Sequence, residues 1–132
     1  MMTAHPAVLL IGRLLLALIF IISGFSKITG FAGTVGYMAS QGLPVPQLLI
    51  IPAILIELGG GLLILIGYQT RWAALAIVLF LIPTTLIFHA FWAVPAEQVQ
   101  MQMIQFQKNL AIMGGLLCLM AAGPGRYSVD KT

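Results

Sequence analysis

Charge is what this chain most lacks: 6 Lys and Arg plus 3 Asp and Glu in 132 residues, against a hydrophobic content of 61%. A water-soluble domain of that length covers its core with a charged and polar surface, and nine charged side chains cannot do so. A soluble fold is excluded. The single cysteine, Cys118, excludes an intramolecular disulfide and a C-x-x-C thiol relay. Histidine is nearly as scarce. His5 precedes the first apolar run and His89 lies near the far end of the third, so the two cannot clamp one haem, and no H-x-x-x-H or E-x-x-H pair exists to hold a metal. The six basic residues are scattered along the chain instead of forming a patch, which argues against nucleic acid as a partner.

Long apolar runs are what the chain has. Four reach the roughly 20 residues that a hydrocarbon layer requires: about 7–25, 48–66, 72–91 and 103–122, separated by "TGFAG", "QGLPVPQ", "GYQTR" and "VPAE". Uninterrupted runs such as "LLLALIFII" lack the in–out alternation of barrel strands, so the segments are helices. The fold class is all-α: an integral membrane four-helix bundle forming a single domain over 1–132. The first run is expected to be a span and not a cleaved leader, because it extends upstream of Arg13 and no A-x-A-like site follows it. Four spans put both termini on one side. Arg13, Arg71, Arg126 and Lys131 lie on or near that side and Lys27 and Lys108 toward the other, so the positive-inside rule makes both termini cytoplasmic.

Two connections carry a pattern of their own. "FAGTVGYMASQG" sets Phe31, Val35 and Met38 at helical spacing, which predicts a short interfacial helix between the first and second spans, with Tyr37 near the bundle mouth. Pro95 followed by Glu97 marks a helix start. The last helix therefore begins outside the membrane, carrying Gln98, Gln102, Gln105 and Asn109 as a polar stripe into it. Within that helix Gly114, Cys118 and Ala122 recur every four residues, as a small-residue packing ridge would.

The ionisable residues inside the spans are the informative ones. Glu57 is about 15 Å from either end of its run, near the bilayer midplane. A charge at a helix centre costs about 2.5–3.5 kcal/mol on insertion scales, so such a group turns to the bundle interior and finds a partner or becomes neutral. Arg13, about 9 Å into its span from one side, and Lys108, about 8 Å into the last span from the other, are both within reach. Lys27 has two readings: it snorkels to the headgroups, or it turns inward with Lys108, His89 and Asn109 to form a donor-rich pocket above Glu57. His89 in "FHAFW" likewise reads either as part of that pocket or as a member of an outer aromatic belt. Gly59, Gly60 and Gly61 after Glu57 permit close approach of a helix or a ligand, and Pro52 and Pro83 each free a carbonyl one turn earlier.

Taken in order, Arg13, "SGFSKITGF", "IELGGGLLILIG", "TRWAAL", "FHAFW" and "QFQKNLAIMGGLLCL" resemble the DoxX family of small bacterial membrane proteins over nearly the whole chain. The resemblance implies a four-helix bundle in the bacterial inner membrane. Some members are linked to quinone-dependent sulfur oxidation or to membrane redox complexes. Arg13, Lys27, Glu57, Lys108 and Asn109 stand where the family's recurring polar residues stand.

Three functions of different class use these residues. In a quinone-linked redox subunit, apolar walls receive the ring, Lys108, His89, Asn109 or Lys27 donate to its carbonyls, and Glu57 handles protons. The candidate ligand-binding set is thus Arg13, Lys27, Glu57, His89, Lys108 and Asn109, with no metal and no intrinsic cofactor. Electrons come from a redox partner protein or a small reductant. A carrier for a small anion or protons would use the same residues. A scaffold, alone or as a homo-oligomer, would use Glu57 only to fix helix packing. Whether the chain is an enzyme is left open by its residues.

Overall fold

The computed structural model describes residues 5–131, and every long apolar run in them is helical. Helix α1 spans Pro6–Thr29, α2 Phe31–Ser40, α3 Pro46–Ile54, α4 Gly60–Ile66, α5 Thr70–Phe88 and α6 Ala96–Ala122. A π-helical turn, Leu55–Gly59, joins α3 to α4, so Pro46–Ile66 forms one continuous span. Four helical stretches are thus long and apolar enough to cross a membrane. Proline sets the starts of α1 and α3 at Pro6 and Pro46, where a missing N–H costs no hydrogen bond.

Each span is one stripe of core against a lipid-facing remainder. On α1 the exposed residues Val8, Ile11, Leu15, Leu18, Ile22 and Phe25 recur at three and four, while Arg13, Ala17, Phe20 and Gly24 form the buried stripe. Ala17 and Phe20 join Ile64 of α4, Ala74, Ile77 and Leu81 of α5, and Leu116 and Leu119 of α6 in a core toward the end of the bundle that carries the termini. Helix α1 packs along the π turn and α4, α5 along α6, and α1 meets α6 where Leu16 covers Gly115.

Small residues decide how close α1 comes. A Cβ at Gly24 would stand 2.7 Å from the backbone nitrogen of Leu58, and one at Gly61 3.2 Å from that of Ile21. Only glycine allows that approach, which lays α1 directly against the π turn.

The short helix between the first two spans is α2, and the last helix begins at Ala96 with Pro95 as its cap and Glu97 in its first turn. Within the third span-capable stretch, Thr70–Ala93, α5 ends at Phe88 with His89 as the cap, and a 3₁₀ turn, Phe91–Ala93, follows. One expectation changes. The ridge of Gly114, Cys118 and Ala122 faces outward: Cys118 is exposed and no atom comes within 4 Å of a Cβ placed on Gly114. The close contact is made one position on, by Gly115.

Candidate functional site

The stripe on α1 that buries Gly24 continues one turn further to Lys27, so the close approach at Gly24 carries the ammonium to the π turn. There Lys27 Nζ lies 2.8 Å from Glu57 Oε1, with side-chain exposures of 23% and 6%. It also donates to Ser23 Oγ at 3.0 Å, one turn back on its own helix. Two of the three ammonium N–H groups are accounted for. The π turn matters because its extra residue re-phases the span: Glu57 faces α1 while Gly60, Gly61 and Ile64 beyond it still face the core.

Beside this ion pair lies a partly enclosed cavity of about 640 Å³, within the size range of small-molecule sites. Its walls are mainly apolar, from Phe20, Met38, Leu49, Pro52, Ala53, Leu81 and Ile112. Lys27, Glu57 and Ser23 supply one polar group. The other comes from the ends of α5 and α6, where His89, Lys108 and Asn109 line the same space. Asn109, buried, donates through Nδ2 to Thr85 Oγ1 at 3.0 Å; His89 Nδ1 meets Gln102 Oε1 at 2.9 Å; Lys108, exposed, donates to Gln105. Helix α2 closes the mouth with Thr34 and Tyr37, whose ring packs 5.4 Å from that of Phe88.

Arg13 is elsewhere. It is 2% exposed and donates to four carbonyls: Ile64 O at 2.8 Å, Leu65 O at 3.2 Å, Pro124 O at 2.7 Å and Tyr127 O at 2.9 Å. Two of these are terminal carbonyls of α4, which no helical N–H reaches; the other two belong to the segment after α6. That segment folds back as a strap. Val129 and Asp130 donate their N–H groups to Ile66 and Gly67, and the Asp130 carboxylate accepts from the N–H groups of Gln69 and Thr70, both at 3.0 Å. It thereby caps α5. The Thr70 N–H, and after it the Gln69 N–H, holds the Asp130 carboxyl below the usual carboxylate range. Gly67, with φ of +73°, closes α4 and leaves room for Ser128 of the strap.

Among the described residues no three His, Cys, Asp or Glu side chains come together. The chain's resemblances agree with its architecture. Residues 8–90 match the sequence profile of the DoxX family. The chain belongs to the DoxX family. It is 43% identical over 128 residues to Inner membrane protein YphA of Escherichia coli (strain K12), covering 97% of this chain and 91% of that protein. With Inner membrane protein YqjF of the same organism it shares 45% over 122 residues, 92% of this chain and 88% of that protein. A shorter stretch of 71 residues, 52% of this chain but 24% of the relative, is 35% identical to the Surfeit locus protein 4 homolog of Schizosaccharomyces pombe. No solved structure matches.

Within this DoxX chain, five of the six candidate residues surround one cavity: Lys27, Glu57, His89, Lys108 and Asn109. The partner of Glu57 is neither Arg13 nor Lys108, as the depths in the spans had suggested, but Lys27, which turns inward instead of snorkelling. Arg13 binds at Ile64, seven residues and about 10 Å further along the span than Glu57, and so belongs to the strap. Lys108 lines the rim and reaches only Gln105. His89 combines its two readings, since it lines the cavity while Phe91, Trp92 and Phe106 beside it form an edge-to-face aromatic cluster. Ser23 and Thr85 were not among the candidates. Ser23 had a visible signal in its spacing of four from Lys27; Thr85, next to Thr84 in a mostly apolar helix, shows its role only once Asn109 is opposite it.

Proposed function

We propose that this DoxX-family protein is a quinone-linked membrane subunit of the bacterial inner membrane, whose outer cavity binds the ring between the Lys27–Glu57 pair and the Asn109–His89 wall. The observation that carries the reading is an ion pair, its carboxylate only 6% exposed, opening onto an apolar space of about 640 Å³. An ion pair needed only for packing would be sealed among side chains. Placement in the inner membrane rests on the names of the two E. coli relatives, and cytoplasmic termini on the four basic residues at one end of the bundle against two at the other.

The residues suit such a ring chemically. A quinone presents two carbonyl oxygens, both acceptors, and supplies two-electron, two-proton chemistry when bound. Lys27 has a donor to give while Ser23 and Glu57 keep the ammonium in place. Asn109, fixed by Thr85, and His89, fixed by Gln102, line the opposite wall. Glu57 is the acid placed to hold a proton near the ring, and electrons arrive from a redox partner protein or a small reductant. The ion pair also ties α1 to the second span, which is what a scaffold would use. Binding separates the two. Purified protein in lipid nanodiscs should bind a short-chain quinone, and the double variant Lys27→Met, Glu57→Gln should weaken it at least tenfold. Equal affinity in the double variant, or no binding by the wild type, would overturn the quinone reading and leave the scaffold.

A further inference from the structure

Beside Glu57 the cavity holds one cation for one anion, with a second cation, Lys108, on its exposed wall, and the pairing at Glu57 constrains what can enter there. Lys27 is the cation bound at depth, held by Glu57 and Ser23. The other charged and titratable groups facing the space are Lys108 and His89, at the ends of α6 and α5, and Tyr37 on α2; α3 and α4 contribute none, and the π turn only Glu57. Lys108 is engaged by Gln105 and exposed, and His89 is engaged by Gln102. A second negative oxygen arriving at Lys27 would therefore place two anions on one ammonium in a medium of low dielectric. Two like charges sharing such a site do not both stay ionised: one takes a proton.

We infer that Lys27 is an exchangeable cation, released by Glu57 to an acidic ligand oxygen, and that Glu57 takes up one proton as the ligand binds. The inference rests on the quinone reading and names the ligand state the site prefers: a ring whose oxygen is anionic, or becomes so, enters with one proton and leaves the site's net charge unchanged. The balance is simple. The ligand anion and one proton from solvent enter, the Lys27–Glu57 contact opens, a Lys27–ligand contact forms, and the proton resides on Glu57. A neutral quinone needs no such exchange, because the third ammonium N–H can serve its carbonyl while the ion pair persists.

Two probes of equal alkyl chain test this in nanodiscs: an alkyl 2-hydroxy-1,4-naphthoquinone, ionised at neutral pH, and the alkyl 1,4-naphthoquinone without the hydroxyl. Calorimetry in buffers of different ionisation enthalpy counts the protons. The wild type should take up one proton with the acidic probe, its affinity falling about tenfold per unit rise in pH across the neutral range, and none with the neutral probe. In Glu57→Gln the acidic probe should bind with no uptake and a flat pH profile. An infrared difference spectrum of the wild type, which needs no variant, should gain a protonated-carboxyl band with the acidic probe only. Binding of both probes without proton uptake, or uptake that persists in Glu57→Gln, would overturn the exchange while leaving the quinone reading intact. Failure of both probes to bind would overturn the two together.

Discussion

Removing the cation of the Lys27–Glu57 pair should cost more than removing the anion, and the difference should depend on pH. In Lys27→Met the 6%-exposed Glu57 side chain loses its 2.8 Å partner. It then accepts a proton, because a bare carboxylate among acyl chains is dearer still. Protonating an ordinary carboxyl at pH 7 costs about 4 kcal/mol, and about 1.4 kcal/mol less for each unit by which the pH falls. In Glu57→Gln the ammonium is left, but Lys27 is 23% exposed and lies near the outer end of α1, so its stem can carry it toward the headgroups. The loss is then about 1–2 kcal/mol, one charge-assisted hydrogen bond. The double variant strands no charge and should lie within about 1 kcal/mol of the wild type. Unfolding equilibria in mixed micelles, followed by the fluorescence of Trp72 and Trp92, would measure all four proteins at pH 7 and pH 5. Single-variant losses that add up in the double variant to within about 0.5 kcal/mol, or a Lys27→Met cost that ignores pH, would refute the reasoning.

Gly24→Ala should destabilise by about 1–3 kcal/mol and weaken quinone binding, since its Cβ would meet Leu58 backbone at 2.7 Å; Gly114→Ala, in open space, should be neutral or slightly stabilising in the same assay. Arg13→Leu strips four carbonyls of their donor and should cost about 3 kcal/mol or more, with rapid proteolysis of the strap, and Arg13→Lys should rescue only part because one ammonium cannot span four acceptors. The Asp130 cap has a pH sign of its own. Its carboxyl is lowered in the folded protein, so the strap is held in full above the ordinary carboxylate value of about 3.9 and loosens as pH falls through the lower folded value; protease cleavage of the tail should accelerate there in the wild type and be independent of pH in Asp130→Asn.

The spans and α2 were legible because hydrophobic length and helical spacing are local properties of the chain. The partner of Glu57 was not, although half of the signal was present. Arg13, Ala17, Phe20, Gly24 and Lys27 fall on one stripe at spacings of four, three, four and three, which commits Lys27 to the core as firmly as Phe20. The other half was hidden in the π turn. Depth along an ideal helix gives Glu57 two reachable cations, Arg13 and Lys108, and no direction, and the inserted residue at Leu55–Gly59 sets the direction. The strap was opaque for another reason: "GPGRYSVDK" is short and polar, with no period of its own, and its conformation is set by Arg13 and by the free carbonyls of α4. Cys118 shows the reverse error. Spacing of four identifies a face of α6 but does not say whether that face meets a helix or lipid, and the neighbouring Gly115 took the contact.

Photolabelling tests directly whether a ligand ring lodges beside Lys27 and Glu57. An azido-substituted short-chain quinone, irradiated with the protein in nanodiscs and mapped by mass spectrometry, should label cavity residues 23–27, 49–57 and 84–89, and excess unlabelled quinone should suppress it. Label confined to the lipid-facing stripe of α1, from Ile11 to Leu18, and undiminished by competitor would contradict the account.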